Sequence, residues 1–208
     1  MIRTLALTLI ASVAVASGAA AQGMTQKISK NLVNKAKDTS KEIEKVSKQL
    51  DKTVKQQNKL LSKKKLKDRQ KEHRKLQDEL KKTEEAVKEV RKKSDEMEKE
   101  ADKFFKEWNE GIAEIDDDEL RGMSQTRLDS SRSEYARIVG TGNLAASQYE
   151  EFLSGMKNEL AFLDLDLSDD AIAQLLPKTR ETQQHATALQ SSMADLTRKI
   201  DGYVDALR

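Results

Sequence analysis

Few side chains in this sequence have types and spacings that could do chemistry. Histidine occurs twice, as His73 and His185, and cysteine not at all. Two histidines on separate helices could meet as metal ligands. No Glu-x-x-His motif or second ligand pair accompanies them, so two isolated side chains are the better reading. Asp164, Asp166, Ser168 and Asp170 alternate like the start of a calcium loop. Such a loop needs Gly at its sixth position and a bidentate Glu at its twelfth. Those positions hold Asp169 and Leu175, so a turn followed by a helix cap fits better. Asp116-Asp117-Asp118-Glu119 could attract a cation loosely, but acidic residues also suit the first turn of a helix. No Gly-rich phosphate loop, nucleophile elbow or zinc pattern appears. The residue types argue against an enzyme, and no cofactor or metal is expected.

One cluster stands out. Lys63, Lys64, Lys65, Lys67, Arg69 and Lys71 fall within nine residues. Such a cluster can bind anionic lipid head groups or lipopolysaccharide phosphates. Nucleic acid is a poor match, because no aromatic is interleaved to stack on bases. The competing account is an ordinary solvated turn. The cluster crowns a charge asymmetry that the net charge of +2 hides. Met24 to Lys75 holds eighteen Lys or Arg against six Asp or Glu, a balance of +12. Leu76 to Glu119 holds nine against seventeen, a balance of −8. Two antiparallel helices would set these stretches side by side, so internal neutralisation competes with an external anionic partner.

The elements that carry these residues follow from a seven-residue apolar rhythm. Its clearest run is Ile172, Leu175, Thr179, Thr182, Ala186, Leu189, Met193, Leu196, Ile200, Tyr203 and Leu207. The spacing alternates three and four, which lays one seam along a helix. An earlier stretch, from about Met24 to Leu61, reads Leu32, Ala36, Thr39, Ile43, Val46, Leu50, Thr53, Gln57, Leu60. Three of those nine are polar, which predicts a weakly packed, peripheral or fraying helix. A second stretch, about Asp68 to Ile115, grows in residue size toward Phe104, Phe105, Trp108, Ile112 and Ile115. Large aromatics contribute most when buried, so the best-packed core is expected there. A third stretch starts at Asp116–Glu119 and carries Gly140 and Gly142, which suggest a kink or a close helix approach. Ser168 reads as the N-cap of the last helix, and Pro177 should bend that helix near Ala173.

Reversals are expected at Ser62-Lys63-Lys64-Lys65, at Asp116–Glu119 and at Asp164–Leu167. The first lacks Gly or Pro, so an unbroken helix through it is the alternative. Stretches of 40 to 50 residues would make helices roughly 60 to 75 Å long. The expected fold is all-α, an elongated antiparallel four-helix coiled-coil bundle. The alternative is two hairpins, the first projecting from the second.

The first residues read as an address. Met1-Ile2-Arg3 is a short positive region, Leu5 to Ala16 an apolar run, and Ser17 to Ala21 a small-residue cleavage site. Cleavage after Ala21 is expected, with a mature product in the periplasm or outside the cell. The chain has no cysteine, so a lipoprotein anchored through one is not expected. The expected organisation is a signal peptide at 1–21, a basic N-terminal helix and turn at 22–67, and three further helices of one bundle at 68–208.

Phe105-Lys106-Glu107-Trp108, Leu120-Arg121, Leu128 and Tyr135 resemble a family of exported bacterial helical proteins, domain of unknown function 2959. Glu159-Leu160-Ala161-Phe162-Leu163, with Leu167, Ala171-Ile172 and Leu175, resembles that family's second block. The resemblance implies an exported helical fold and brings no chemistry. The leading expectation is a cell-envelope scaffold or spacer that meets a protein partner, or a second copy of itself, through its helices. The alternative is a polyanion- or anionic-membrane-binding protein acting through its basic first hairpin.

Overall fold

The computed structural model describes residues 19–207, with side chains from residue 29. The expected export signal lies outside them except for Ala19 to Ala21, which begin the first helix. Four helices follow in order: α1 (Ala19–Leu61), α2 (Leu66–Ala113), α3 (Asp118–Leu165) and α4 (Asp169–Ala206). No strand occurs among the described residues. The fold is an all-α four-helix bundle. Each reversal falls where the apolar rhythm breaks, and residues 62–65 form a true turn rather than continued helix.

Capping explains two of the helix starts. The Asp117 carboxylate accepts from the backbone N–H of Leu120 at 2.9 Å, and Ser168 Oγ accepts from that of Ala171 at 3.2 Å. Each satisfies one of the orphan donors of a first turn. Lys65 precedes α2 without a side-chain cap. Pro177 sits inside α4, which continues through it to Ala206.

Around the bundle, α1 packs on α2 and α4, and α3 packs on α4 and α2; the α2–α3 contact is the thinnest. Cross-links run antiparallel: Lys35 pairs with Glu96 at 2.8 Å, Thr53 with Thr83 at 2.9 Å, and Gln56 with Glu72 at 2.8 Å. At one pole Ser29 Oγ donates to the Leu207 carbonyl at 3.3 Å. The first hairpin therefore packs on the second and does not project from it.

Two expectations about packing are overturned. α1 is not peripheral: all nine of its seam residues are buried. Its polar members are buried because they have partners. Thr39 Oγ1 donates to the Lys35 carbonyl and lies 3.1 Å from that of Lys93, Thr53 meets Thr83, and Gln57 Nε2 donates to Glu159 at 2.6 Å. A buried polar group that is hydrogen-bonded carries no desolvation penalty large enough to expel it. Nor is the aromatic end packed better than the rest. Leu32 and Leu128 are fully enclosed there and Phe104 is buried, but Phe105 and Trp108 are only half-buried, and Phe152, Met156, Leu163, Leu60 and Leu76 toward the opposite pole are enclosed to the same degree. The aromatics instead form a chain of ring contacts, Phe104 with Trp108 at 5.3 Å and Phe105 with Tyr135 at 5.8 Å. α3 runs without a break through Gly140 and Gly142, and neither marks a close approach: a Cβ on Gly140 would meet open space, and one on Gly142 only Leu196 at 4.0 Å. The close approach is at Gly155, where a Cβ would lie 2.5 Å from Thr182 Oγ1.

Candidate functional site

The basic cluster sits at the pole where the α1–α2 turn meets the α3–α4 turn. Lys64, Lys65, Lys67 and Lys71 are exposed, Lys63 is half-buried, and none of the five makes an ion pair among the described residues. Leu66 lies among them, 55% exposed. Arg69 does not belong with them. It is 5% exposed and joins the two turns. Its Nε donates to the Lys63 carbonyl at 2.6 Å, its Nη1 to the Leu167 carbonyl at 2.8 Å, and its Nη2 pairs with Asp169. Three of its five donors are engaged and the side chain is buried away from solvent, so the site reduces to the five lysines. Acidic side chains share this pole: Asp164, Asp166, Asp169 and Asp170 are all exposed.

Beside the cluster Glu72 is buried and accepts from Gln56 Nε2 at 2.8 Å, with Lys75 at 3.1 Å and Lys59 at 3.2 Å. The Gln56 hydrogen bond, followed by those of the lysines, holds its carboxyl down at about 2. Glu96 is held at about 2 in the same way by Lys35 and Lys93.

The histidines do not meet. His73 is buried on α2, its Nε2 3.5 Å from Asp164 Oδ1 and without a hydrogen bond. His185 on α4 pairs through Nδ1 with Glu151 at 3.0 Å. Among the described residues no group of three or more His, Cys, Asp or Glu is placed to hold a metal ion. The Asp164–Asp170 stretch is a turn and cap: Asp166 accepts from the Ser168 backbone N–H at 2.8 Å and from its hydroxyl at 3.0 Å.

Sequence reading missed one chemical group, Glu159. It is 3% exposed inside the bundle. Its Oε2 accepts from Gln57 Nε2 at 2.6 Å and from Thr179 Oγ1 at 3.1 Å, while Oε1 has no partner. Burial pushes its carboxyl up from the ordinary 4.5. One signal pointed to it: Glu159 stands three residues after Met156 and four before Leu163, both enclosed, which puts it on the same inward face of the helix.

A second feature was also missed. The thin α2–α3 contact leaves a slot of about 480 Å³ whose walls are mostly apolar. Tyr149 lines it, and burial raises that phenol to about 12.

Fold and site together define a four-helix bundle with a lysine-rich pole, a buried carboxyl and an apolar slot. The family model described as protein of unknown function (DUF2959) matches residues 20–207, and the chain belongs to that family. No curated protein and no solved structure matches it.

Proposed function

We propose that the protein is an exported structural or interaction protein of the cell envelope, a spacer or scaffold without catalytic activity. It would act as an elongated antiparallel coiled coil. The observation that supports this is the continuity of the seams. All nine seam residues of α1 and ten of the eleven of α4 are buried, so inward packing runs without a gap from Leu32 to Leu60 in α1 and from Ile172 to Tyr203 in α4. A helix of 48 residues measures about 72 Å, which suits a rod that sets a distance between two surfaces. Small-angle scattering from the mature protein tests the shape. A maximum dimension near the length of the longest helices is expected, and a near-spherical particle would sink the reading. Mass spectrometry of the protein from its native cell tests export, with Gln22 expected as the first residue. Cross-linking in envelope extract identifies the partner.

A second reading, contact with an anionic surface, is favoured by the five unpaired lysines around exposed Leu66. Near an anionic membrane each basic residue is worth about 1 kcal/mol, fading within roughly 8–10 Å. Replacing Lys63, Lys64, Lys65, Lys67 and Lys71 with Gln, and leaving Arg69, should abolish binding to anionic vesicles at unchanged helicity. Wild-type protein that ignores such vesicles at low salt rejects this reading.

A further inference from the structure

The slot between α2 and α3 has a cause in the sequence. Its α3 wall carries Gly142, Ala145 and Ala146 between the larger Tyr135 and Tyr149, and its α2 wall carries Val87, Val90 and Ser94 beside Arg91 and Met97. The small side chains among them leave part of the gap between the two helices unfilled. Through it the core side chains of the other two helices, Ile43, Val46, Leu189 and Leu196 among them, become the floor. Protein interiors rarely leave voids much larger than a water molecule. An apolar cavity destabilises in proportion to its volume and holds water poorly. A slot of about 480 Å³ lies instead in the size range of small-molecule sites, roughly 300–1,000 Å³, which are mostly apolar with a few polar groups.

Its shape selects the kind of ligand. The lining runs from Val87 to Glu98 on α2 and from Tyr135 to Tyr149 on α3. At 1.5 Å per residue that is about 16 to 21 Å. One acyl chain spans half of a hydrocarbon core of about 30 Å. An extended alkyl chain therefore matches the slot in length and in chemistry.

The charged lining residues select the head group. Arg91 contributes a cation, its guanidinium 6.0 Å from the centre of the Tyr149 ring and 2.6 Å from Glu150. One turn on stands Asp95 and two turns on Glu98; both line the slot, and neither makes an ion pair among the described residues. A cation followed at one and two turns by unpaired carboxylates complements a ligand with an anionic and a cationic group in the same order. A purely anionic head would meet two carboxylates, and an uncharged one would use neither end.

We propose that the α2–α3 slot binds a single-chain zwitterionic amphiphile of the lysophosphatidylethanolamine type. The alkyl chain lies along the floor of the slot, and the head group turns back over the exposed α2 rim, its phosphate at Arg91 and its ammonium toward Asp95 and Glu98.

The test uses the full chain stripped of lipid and titrated with lysophosphatidylethanolamine below its micelle concentration. Native mass spectrometry and thermal shift are the readouts. A one-to-one complex with a raised melting temperature is expected. Glycerophosphoethanolamine, which has the head and no chain, should not bind. Lysophosphatidylglycerol, which has the chain and an anionic head, should bind at least tenfold more weakly. Ala146→Phe fills the slot from its exposed wall and should abolish binding, while Ala161→Phe on an exposed position outside the slot should not. Asp95→Lys with Glu98→Lys, both on the surface, should reverse the preference toward the anionic lipid. The five-lysine variant should bind as wild type, which separates the slot from the pole. Binding that survives Ala146→Phe, no binding of either lipid, or equal affinity for the two lipids would each overturn the proposal.

Discussion

Arg69 and Arg121 stand at the same place in successive helices, and each donates its Nε–H to the carbonyl six residues earlier. Each is the fourth residue of its helix. The bonds are 2.6 Å to Lys63 and 2.9 Å to Ile115. Both arginines thus tie a turn to the helix it feeds. Arg69 is buried and reaches the α3–α4 turn as well, whereas Arg121 is part-exposed and closes only its own turn, through the Asp116 carbonyl and Asp118. Arg69→Ala should therefore cost about 2–4 kcal/mol, because it removes a buried side chain that joins two turns and leaves two part-buried carbonyls unpaired. Arg121→Ala should cost less than about 1 kcal/mol. Denaturant melts of the two variants check the order, and equal losses would contradict it.

The burial of α1 sets a second expectation. Leu50 and Ile200 are both fully enclosed, one on the first helix and one on the last. Leu50→Ala should cost roughly 2–5 kcal/mol, as much as Leu196→Ala in α4. Removing residues 24–34 takes away Leu32, which is also fully enclosed, and should lower stability to a similar degree. A first helix that tolerates both changes would return it to the periphery.

Stability should respond to pH in two opposed ways. Glu72 has a folded pKa of about 2, below its ordinary 4.5. Its contribution is present above about 4.5 and is lost as pH falls toward 2. Glu72→Gln should lower the melting temperature at pH 7 and change little at pH 2. Glu159 has the opposite sign. Its folded carboxyl binds a proton more tightly than the unfolded one, so its contribution is full below about 4.5 and lost as pH rises through the folded value. Glu159→Gln should raise the melting temperature at pH 8, and the gain should shrink toward pH 4. Paired melts across that range read both.

The glycines of α3 should separate cleanly. A Cβ on Gly155 would press on Thr182 Oγ1, Cγ2 and Cβ at 2.5 to 3.3 Å, while one on Gly140 touches nothing within 4 Å. Gly155→Ala should destabilise by about 1–3 kcal/mol. Gly140→Ala should stabilise by up to about 1 kcal/mol through helix propensity alone. Thermal melts that reverse these signs would mean that α3 and α4 are further apart at Gly155 than described.

The apolar rhythm carried the helices, their reversals and the inward face of each, since period and breaks are local properties. Ser168 was recognisable as a cap for the same reason. Depth was not local. Thr53 and Gln57 looked like weaknesses because the groups that satisfy them, Thr83 and Glu159, lie 30 and 102 residues away. Arg69 looked like one more cation at the tip because Leu167 and Asp169 are 98 and 100 residues distant. The aromatics near Trp108 suggested the best core by size, yet side-chain volume says nothing about how many neighbours surround it. The slot was written in the small residues Gly142, Ala145 and Ala146, but it needed the thin α2–α3 contact to become visible.

The hydrogen bond between Ser29 and the Leu207 carbonyl places those two residues side by side at one pole. Force drawing residue 29 away from residue 207 would peel α1 from α4 one rung at a time, and would meet little resistance. Force between residue 29 and the α3–α4 turn at the far pole would instead shear every rung of that seam together. The molecule is thus mechanically anisotropic, easily unzipped from one pole and stiff along its axis.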